Sequence, residues 1–261
     1  VSEIHPAAFV DPGAEVGEGA RIGPGAVVGP GARLGEGCEV GAHAVLEGRV
    51  DIASGCRIFP GAVIGTEAQF VGGEGGAGGG VEIGANTVVR EMVTIHRSLE
   101  EGSATRIGED CYLMVQAHIA HDCLLGDRVI LANWTGLSGH IEVGSGAFIS
   151  GYVGIHQFVR IGEGAILTGP AAVRQDVLPF TNTEGNPPMV RGLNTIGLRR
   201  SGVSAEVRSN LKKAYHILFE DSKTTAEAAD RIEAEVPLGR EINSVVEFAR
   251  VAKRGFYRGG V

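Results

Sequence analysis

The amino-acid sequence predicts a parallel β-helix, an all-β coil, closed by a small helical unit. Three observations predict it. An aliphatic residue recurs every six positions through 25 hexads, glycine is abundant at 42 residues while aromatics make up only 5%, and the period becomes helical after Ser204. A hydrophobic content of 43% with 21% charged residues argues against disorder. Scarce aromatics and many glycines exclude a conventional core of large side chains and predict many tight corners. No apolar run approaches the roughly 20 residues that span a bilayer, and the N-terminus has no charged-then-apolar leader. A cytoplasmic location is therefore expected.

The first run of aliphatic residues is Val10, Val16, Ile22, Val28, Leu34, Val40, Leu46, Ile52, Ile58 and Ile64. After an interruption come Ile83, Val89 and Ile95, and a second run goes from Ile107 through Ile119, Leu137 and Ile155 to Val173. The fifth position of a hexad is usually small, as at Ala20, Ala44, Thr87 and Thr135. One large and one small inward slot per six residues is the hexapeptide signature of a parallel β-helix. With three hexads to a triangular coil, residues eighteen apart stack at the strand spacing of about 4.8 Å. The four cysteines, Cys38, Cys56, Cys111 and Cys123, all occupy the fifth slot and are expected as inward packing residues, not metal ligands or disulfides.

Two excursions leave the coil, at about residues 66–80 and 98–106. The first holds a glycine tract, Gly72 to Gly80, that neither precedes a helix nor ends in the Lys and Ser/Thr of a phosphate loop. After Val173 the repeat ends and Pro179, Pro187 and Pro188 mark a linker. Ser204 reads as the N-cap of a helix whose apolar face is Val207, Leu211, Ala214, Tyr215, Leu218 and Phe219. Thr224 to Glu227 reads as a capping box opening a second helix, and Ile242, Val245, Val246, Phe248 and Ala249 form the apolar face of a third. The division is a β-helix over 1–188 and a helical domain over 189–261. The first carries a net charge of −12 and the second +4, within a total of −8. A basic C-terminal region is suited to an acidic partner or to phosphates, although solvated helix faces give the same composition.

The repeat concentrates chemistry on one edge. His121 is third in its hexad, with Gly139 and Gln157 on the next two coils; Asp122 is fourth, with His140 and Phe158 beyond it; and Ala120, Ser138 and His156 share the second slot. These groups fall within roughly 10–15 Å of one another. His118 immediately precedes the edge, and His5, His43, His96 and His216 lie elsewhere in the chain. A neutral imidazole oriented by a carboxylate is suited to take a proton from a hydroxyl or amine as it attacks a carbonyl. Gly139 leaves its N–H unobstructed for an oxyanion. General-base acyl transfer follows, without a serine or cysteine nucleophile. Clustered imidazoles are equally zinc ligands, and a scaffold with polar corners is the third reading.

The motifs Ala117-His118-Ile119-Ala120-His121-Asp122-Cys123, Leu131-Ala132-Asn133, Gly139-His140, Ile155-His156-Gln157-Phe158, Gly185-Asn186-Pro187 and Gly197-Leu198-Arg199-Arg200 follow in order. In this the chain resembles the acyl-carrier-protein–UDP-N-acetylglucosamine O-acyltransferases of lipid A biosynthesis, over nearly its whole length. The resemblance implies a left-handed β-helix, a homotrimer with sites between subunits, and acyl carrier protein and UDP-N-acetylglucosamine as partners. It implies no cofactor beyond the phosphopantetheine that carries the acyl donor, no nucleic acid and no stable membrane insertion. By the same resemblance His121 is the base, Asp122 its carboxylate and Gly139 the oxyanion donor. His118, His140, His156 and Gln157 line the substrate cleft, Asn194 and Arg200 contact the nucleotide end, and Gly169 limits acyl depth, its missing side chain admitting a longer hydroxyacyl group. No residue is assigned to a metal. The chain departs from the family at Gln69-Phe70-Val71-Gly72 and at Ile196, which leaves a 3-amino sugar nucleotide open as acceptor. A zinc-binding β-helix resembling gamma-class carbonic anhydrases is the other alternative.

Overall fold

The computed structural model describes every residue except 71–77, 221, 223, 260 and 261. The aliphatic hexads wind into a parallel solenoid whose three faces are sheets of eleven, nine and eight strands. Most strands are two or three residues long, because each face lasts only from one corner to the next. Equivalent residues of successive coils pair directly: Ile95 with Ile119, Ile119 with Leu137, and Leu137 with Ile155 on the second face. Each coil satisfies its neighbour's backbone groups, so the prism needs no partner sheet.

The large aliphatic slot and the small fifth slot together fill the interior, which runs as one cluster from Ile22 to Val177. All four cysteines are buried and unpaired. Three of their thiols donate to carbonyls at 3.1 Å, those of Cys38, Cys56 and Cys123 to Ala53, Gly84 and Ser138. Burial pushes the Cys123 thiol up to about 12, which removes it as a nucleophile beside Asp122.

Both excursions are shorter than the sequence indicates. The second face keeps its strand through Thr66, and Gly80 already opens the strand Gly80–Ile83. Ala104 and Thr105 pair with Gly80 and Val81, so the second excursion ends at Ser103 rather than Arg106. Most of the glycine tract lies outside the described residues.

The expected linker is also structured. Thr181–Glu184 adds in parallel to Ile166–Thr168, and Met189–Leu193 folds back on it antiparallel. The chain thus stays on the first sheet past residue 188, to Leu193. The helices follow as α1 (Thr195–Arg200), α2 (Ala205–Phe219), α3 (Thr225–Glu235) and α4 (Arg240–Arg250).

The Ser204 hydroxyl accepts from the Val207 N–H, and the Thr224 hydroxyl from the Glu227 N–H, which fixes where α2 and α3 begin. Helix α4 buries Ile242, Val245, Val246, Phe248 and Ala249 as its spacing predicts. Helix α2 buries Leu211, Ala214, Tyr215 and Leu218 of the expected stripe and Ile217 besides, leaving Val207 and Phe219 half-buried, since α3 and α4 pack on it while the Tyr215 hydroxyl reaches the Pro179 carbonyl. Among the described residues no helix is long and apolar enough to cross a membrane.

Candidate active site

The corner between the second and third faces carries the expected edge. His121 is almost fully buried, at 3% exposed, and its Nδ1 lies 2.8 Å from Asp122 Oδ2. A carboxylate accepts and cannot donate, so the ring's hydrogen sits on Nδ1 and Nε2 keeps a free lone pair. Asp122 is itself held from three sides. The Ser98 hydroxyl donates to Oδ1, the Leu99 N–H to Oδ2 at 3.4 Å, and the Asp122 N–H donates to Thr105 Oγ1 at 2.9 Å. Burial alone would push this carboxyl up. Its hydrogen bonds from Ser98, His121 and Leu99, with His140 nearby, outweigh that and hold it below the usual carboxylate range.

Gly139 stands one coil beyond His121, and a Cβ there would lie 2.4 Å from His121 Cε1. Only glycine lets the imidazole lie across that corner. The Gly139 N–H has no backbone acceptor among the described residues. His140 crosses His121 edge to face at 5.1 Å and stacks on Phe158 at 4.7 Å.

A cleft of about 560 Å³ opens over this corner and is lined by His118, His121, Gly139, His156 and Gln157. Asp122, His140 and Phe158 face a second cavity of about 740 Å³ on the other side of the corner. His118 Nδ1 meets Thr94 Oγ1 at 2.7 Å, and burial lowers its pKa, so the ring is neutral at pH 7. His156 Nδ1 lies 3.2 Å from the Gln157 carbonyl and 3.3 Å from Arg254 of the returning chain end.

The remaining sequence-predicted residues lie apart from the cleft of a single chain. Asn194 caps α1: its Oδ1 accepts from the Gly197 N–H, and its Nδ2 donates to the Gly164 carbonyl, each at 2.9 Å. Arg200 is the exposed last residue of α1. At Gly169 a Cβ would come within 2.0 Å of the Gly151 carbonyl oxygen, so glycine is required there for close backbone approach whatever the acyl chain.

Sequence reasoning missed Gln69, His96, Ser98 and Arg174. Gln69 and Arg174 line the 560 Å³ cleft. His96 is buried with its ring 5.1 Å from that of His118. Among the described residues, one group has ligand atoms close enough to share a metal ion, His121, Asp122 and His140, mutually within 4.8 Å. His118 is not in it. A proton between His121 and Asp122 already satisfies two of the three atoms.

Comparison with known proteins agrees with this geometry. A family described as Udp N-acetylglucosamine O-acyltransferase, domain 2, matches residues 176–257, and the bacterial transferase hexapeptide family matches 2–36 and 104–139. The acyl-(acyl-carrier-protein)–UDP-N-acetylglucosamine O-acyltransferase of Thermodesulfovibrio yellowstonii is 52% identical over 180 residues, 69% of this chain and 70% of the relative. That of Gloeothece citriformis is 44% identical over 190 residues, 73% of this chain and 68% of its own. Among solved structures, the UDP-N-acetylglucosamine acyltransferase of Campylobacter jejuni superimposes with a TM-score of 0.92 at 33% identity, covering 98% of this chain and 100% of that one. The Bacteroides fragilis enzyme gives 0.91 at 35%, covering 97% and 99%. The chain belongs to the family of acyl-(acyl-carrier-protein)–UDP-N-acetylglucosamine O-acyltransferases.

Proposed function

We propose that this protein transfers a 3-hydroxyacyl group from the phosphopantetheine thioester of acyl carrier protein to the 3-hydroxyl of UDP-N-acetylglucosamine, the first step of lipid A biosynthesis, with His121 as general base. The observation that carries this reading is the orientation of the buried imidazole, with Nδ1–H on Asp122 and Nε2 bare. Nε2 takes the hydroxyl proton as the sugar oxygen attacks the thioester carbonyl. The Gly139 N–H receives the oxyanion. Collapse expels the thiolate, which recovers the proton from the imidazolium, so the step balances without a resident cofactor. His118, His140, His156 and Gln157 contact the substrates around this centre. The names of the relatives support the donor and acceptor.

The working form is a homotrimer of left-handed coils in the cytoplasm, in which a neighbouring copy brings Asn194 and Arg200 to the nucleotide end. The outward rows of the three faces support self-association. The third face is mostly charged, with Arg33 between Glu15 and Asp51, Arg106 on Glu82 and Arg160 on Glu142. The second face instead presents Phe9, Val27, Val45 and Val63, and the far half of the first presents Val88, Tyr112, Ile130, Phe148 and Ile166. These two apolar rows, one on the early coils and one on the later coils, are each suited to burial between copies. Gly169 as a depth limit admitting a longer acyl chain belongs to the same proposal, with the division between coil and helices placed after Leu193 and not at residue 188.

The test is incubation with UDP-N-acetylglucosamine and a panel of hydroxyacyl carrier proteins, with products identified by mass spectrometry. A single acyl addition that survives exhaustive chelation is expected. No product with any donor, while a 3-amino sugar nucleotide is acylated, would reassign the acceptor. Loss of activity on removal of a stoichiometric zinc ion would overturn the general-base account.

A further inference from the structure

His96 sits one residue beyond Ile95 on the second face and is 6% exposed. The first excursion leaves the coil at Thr66, which pairs with His96 in the strand register. Three residues later the Gln69 backbone N–H returns to donate to His96 Nδ1 at 3.2 Å. One residue thus pins both ends of the segment from Thr66 to Gln69, within which Ala68 is buried. A backbone N–H can only donate, so Nδ1 is bare and the ring's hydrogen is on Nε2. The far side of the ring stands edge-on to His118 at 90°. Gln69 lines the same cleft as His118 and His121.

We propose that His96 is a positioning residue for the acceptor, holding Gln69 and the rim of the first excursion against the cleft through the Gln69 backbone N–H. This rests on the acyltransferase reading for what the cleft receives. Burial, with His118 and His121 close by, depresses His96 from 6.5 to about 4, so its acceptor lone pair persists at neutral pH. A rim already ordered spares the sugar nucleotide the cost of ordering it on binding. The effect therefore belongs to KM, not to the chemical step.

The experiment compares the wild type with His96→Ala, His96→Asn and His96→Gln in full-length protein, by steady-state kinetics and by hydrogen exchange of the Gln69 amide. Loss of one hydrogen bond to a buried ring predicts a rise of about fivefold in the KM for UDP-N-acetylglucosamine in His96→Ala, with kcat within about twofold. Exchange at Gln69 should accelerate by a similar factor or more. The Asn side-chain oxygen falls near the place of Nδ1 and should restore both quantities; the Gln oxygen reaches toward Nε2 and should restore neither.

An unchanged KM in His96→Ala, unchanged exchange at Gln69, or equal rescue by Asn and Gln would overturn the assignment. If His96→Ala does not fold, the Asn and Gln variants decide alone. If the wild type transfers no acyl group, the acyltransferase reading fails while the exchange data still decide whether His96 holds Gln69.

Discussion

Replacing Asp122 with asparagine removes one charge and almost no volume, so it isolates what the carboxylate does for His121. Asparagine offers one accepting oxygen where the carboxylate offers two. The two fixed donors, His121 Nδ1–H and the Leu99 N–H, both point at Oδ2, whereas Oδ1 faces the Ser98 hydroxyl. That hydroxyl can rotate to accept, so the amide should settle with its oxygen toward His121 and its nitrogen toward Ser98. The tautomer of His121 is then kept, and the variant loses only the attraction between carboxylate and imidazolium in the transition state. At about 4 Å between charge centres and an effective dielectric of about 20, that attraction is about 4 kcal/mol. An amide hydrogen bond returns about 1 kcal/mol. The net loss of about 3 kcal/mol predicts a fall in kcat of roughly 10²-fold with KM nearly unchanged. Single-turnover measurement of product formation reads it directly. A kcat within about threefold of the wild type would show that no positive charge develops on His121, and the base assignment would fail. A rate equal to that of His121→Ala would show that the amide nitrogen faces Nδ1, refuting the role given to Ser98.

Further outcomes follow from the same geometry. His121→Ala should lower kcat by about 10²–10⁴-fold while size-exclusion chromatography with light scattering gives the same mass as the wild type, since the side chain is not part of the prism's interior cluster. Gly169→Ala should lower the melting temperature, because its Cβ meets the Gly151 carbonyl oxygen at 2.0 Å and the two coils must separate; a variant as stable as the wild type would refute the close-approach requirement. Stability should also fall as pH drops from 6.5 to 4. His96 binds its proton near 6.5 in the unfolded chain but near 4 in the folded one, so its contribution is complete above 6.5 and is lost on the way down, roughly 3 kcal/mol in all. His118 adds to this with the same sign, and Asp176, whose carboxyl is raised by burial, opposes it. Urea midpoints of wild type and His96→Asn at pH 7.5 and 4.5 cancel the shared terms, and the variant should show the smaller acid loss.

The sequence made the coil legible because six-residue spacing is imposed locally by every corner. It also placed His121 under Gly139 and Asp122 under His140, since those coils are uninterrupted. The start of α3, from its capping box, and the apolar face of α4 were readable from equally local signals. What failed were statements that crossed an insertion. The second excursion changes the offset between successive coils from eighteen to twenty-four, as in the pairing of Ile95 with Ile119. Counted with that offset, His96 falls in the column of Ala120, Ser138 and His156, and Ser98 in that of Asp122 and His140. Both residues were visible in the sequence, but their register depended on how much chain the excursion consumed, which pairing alone decides. The strand Met189–Leu193 was hidden differently, because its partner Thr181–Glu184 sits among prolines that read as a linker.

Positive φ at the corners is met by glycine in some coils and by larger side chains in others, among them His43, Asn86, Met92, Arg128, Trp134 and Tyr152 away from the site. The fourth position of most hexads adopts positive φ, a conformation that strongly favours glycine. The early coils comply at Gly19, Gly25, Gly31, Gly37 and Gly55, with φ between 67° and 80°. At the site the same slot holds Asp122, His140 and Phe158 at 61°, 59° and 64°. A side chain in that region costs roughly 1–3 kcal/mol where the backbone is otherwise free to relax, and each of these three residues is held there by the ladder on both sides. The corner therefore gives up backbone comfort on three successive coils to stack a carboxylate, an imidazole and a phenyl ring in one column. Asp122 gains from it directly: positive φ turns its carboxylate back beside the His121 ring one residue earlier, where Ser98 and Leu99 close around it. A glycine in this slot would relieve the backbone and remove the group that keeps His121 Nε2 free to act as a base.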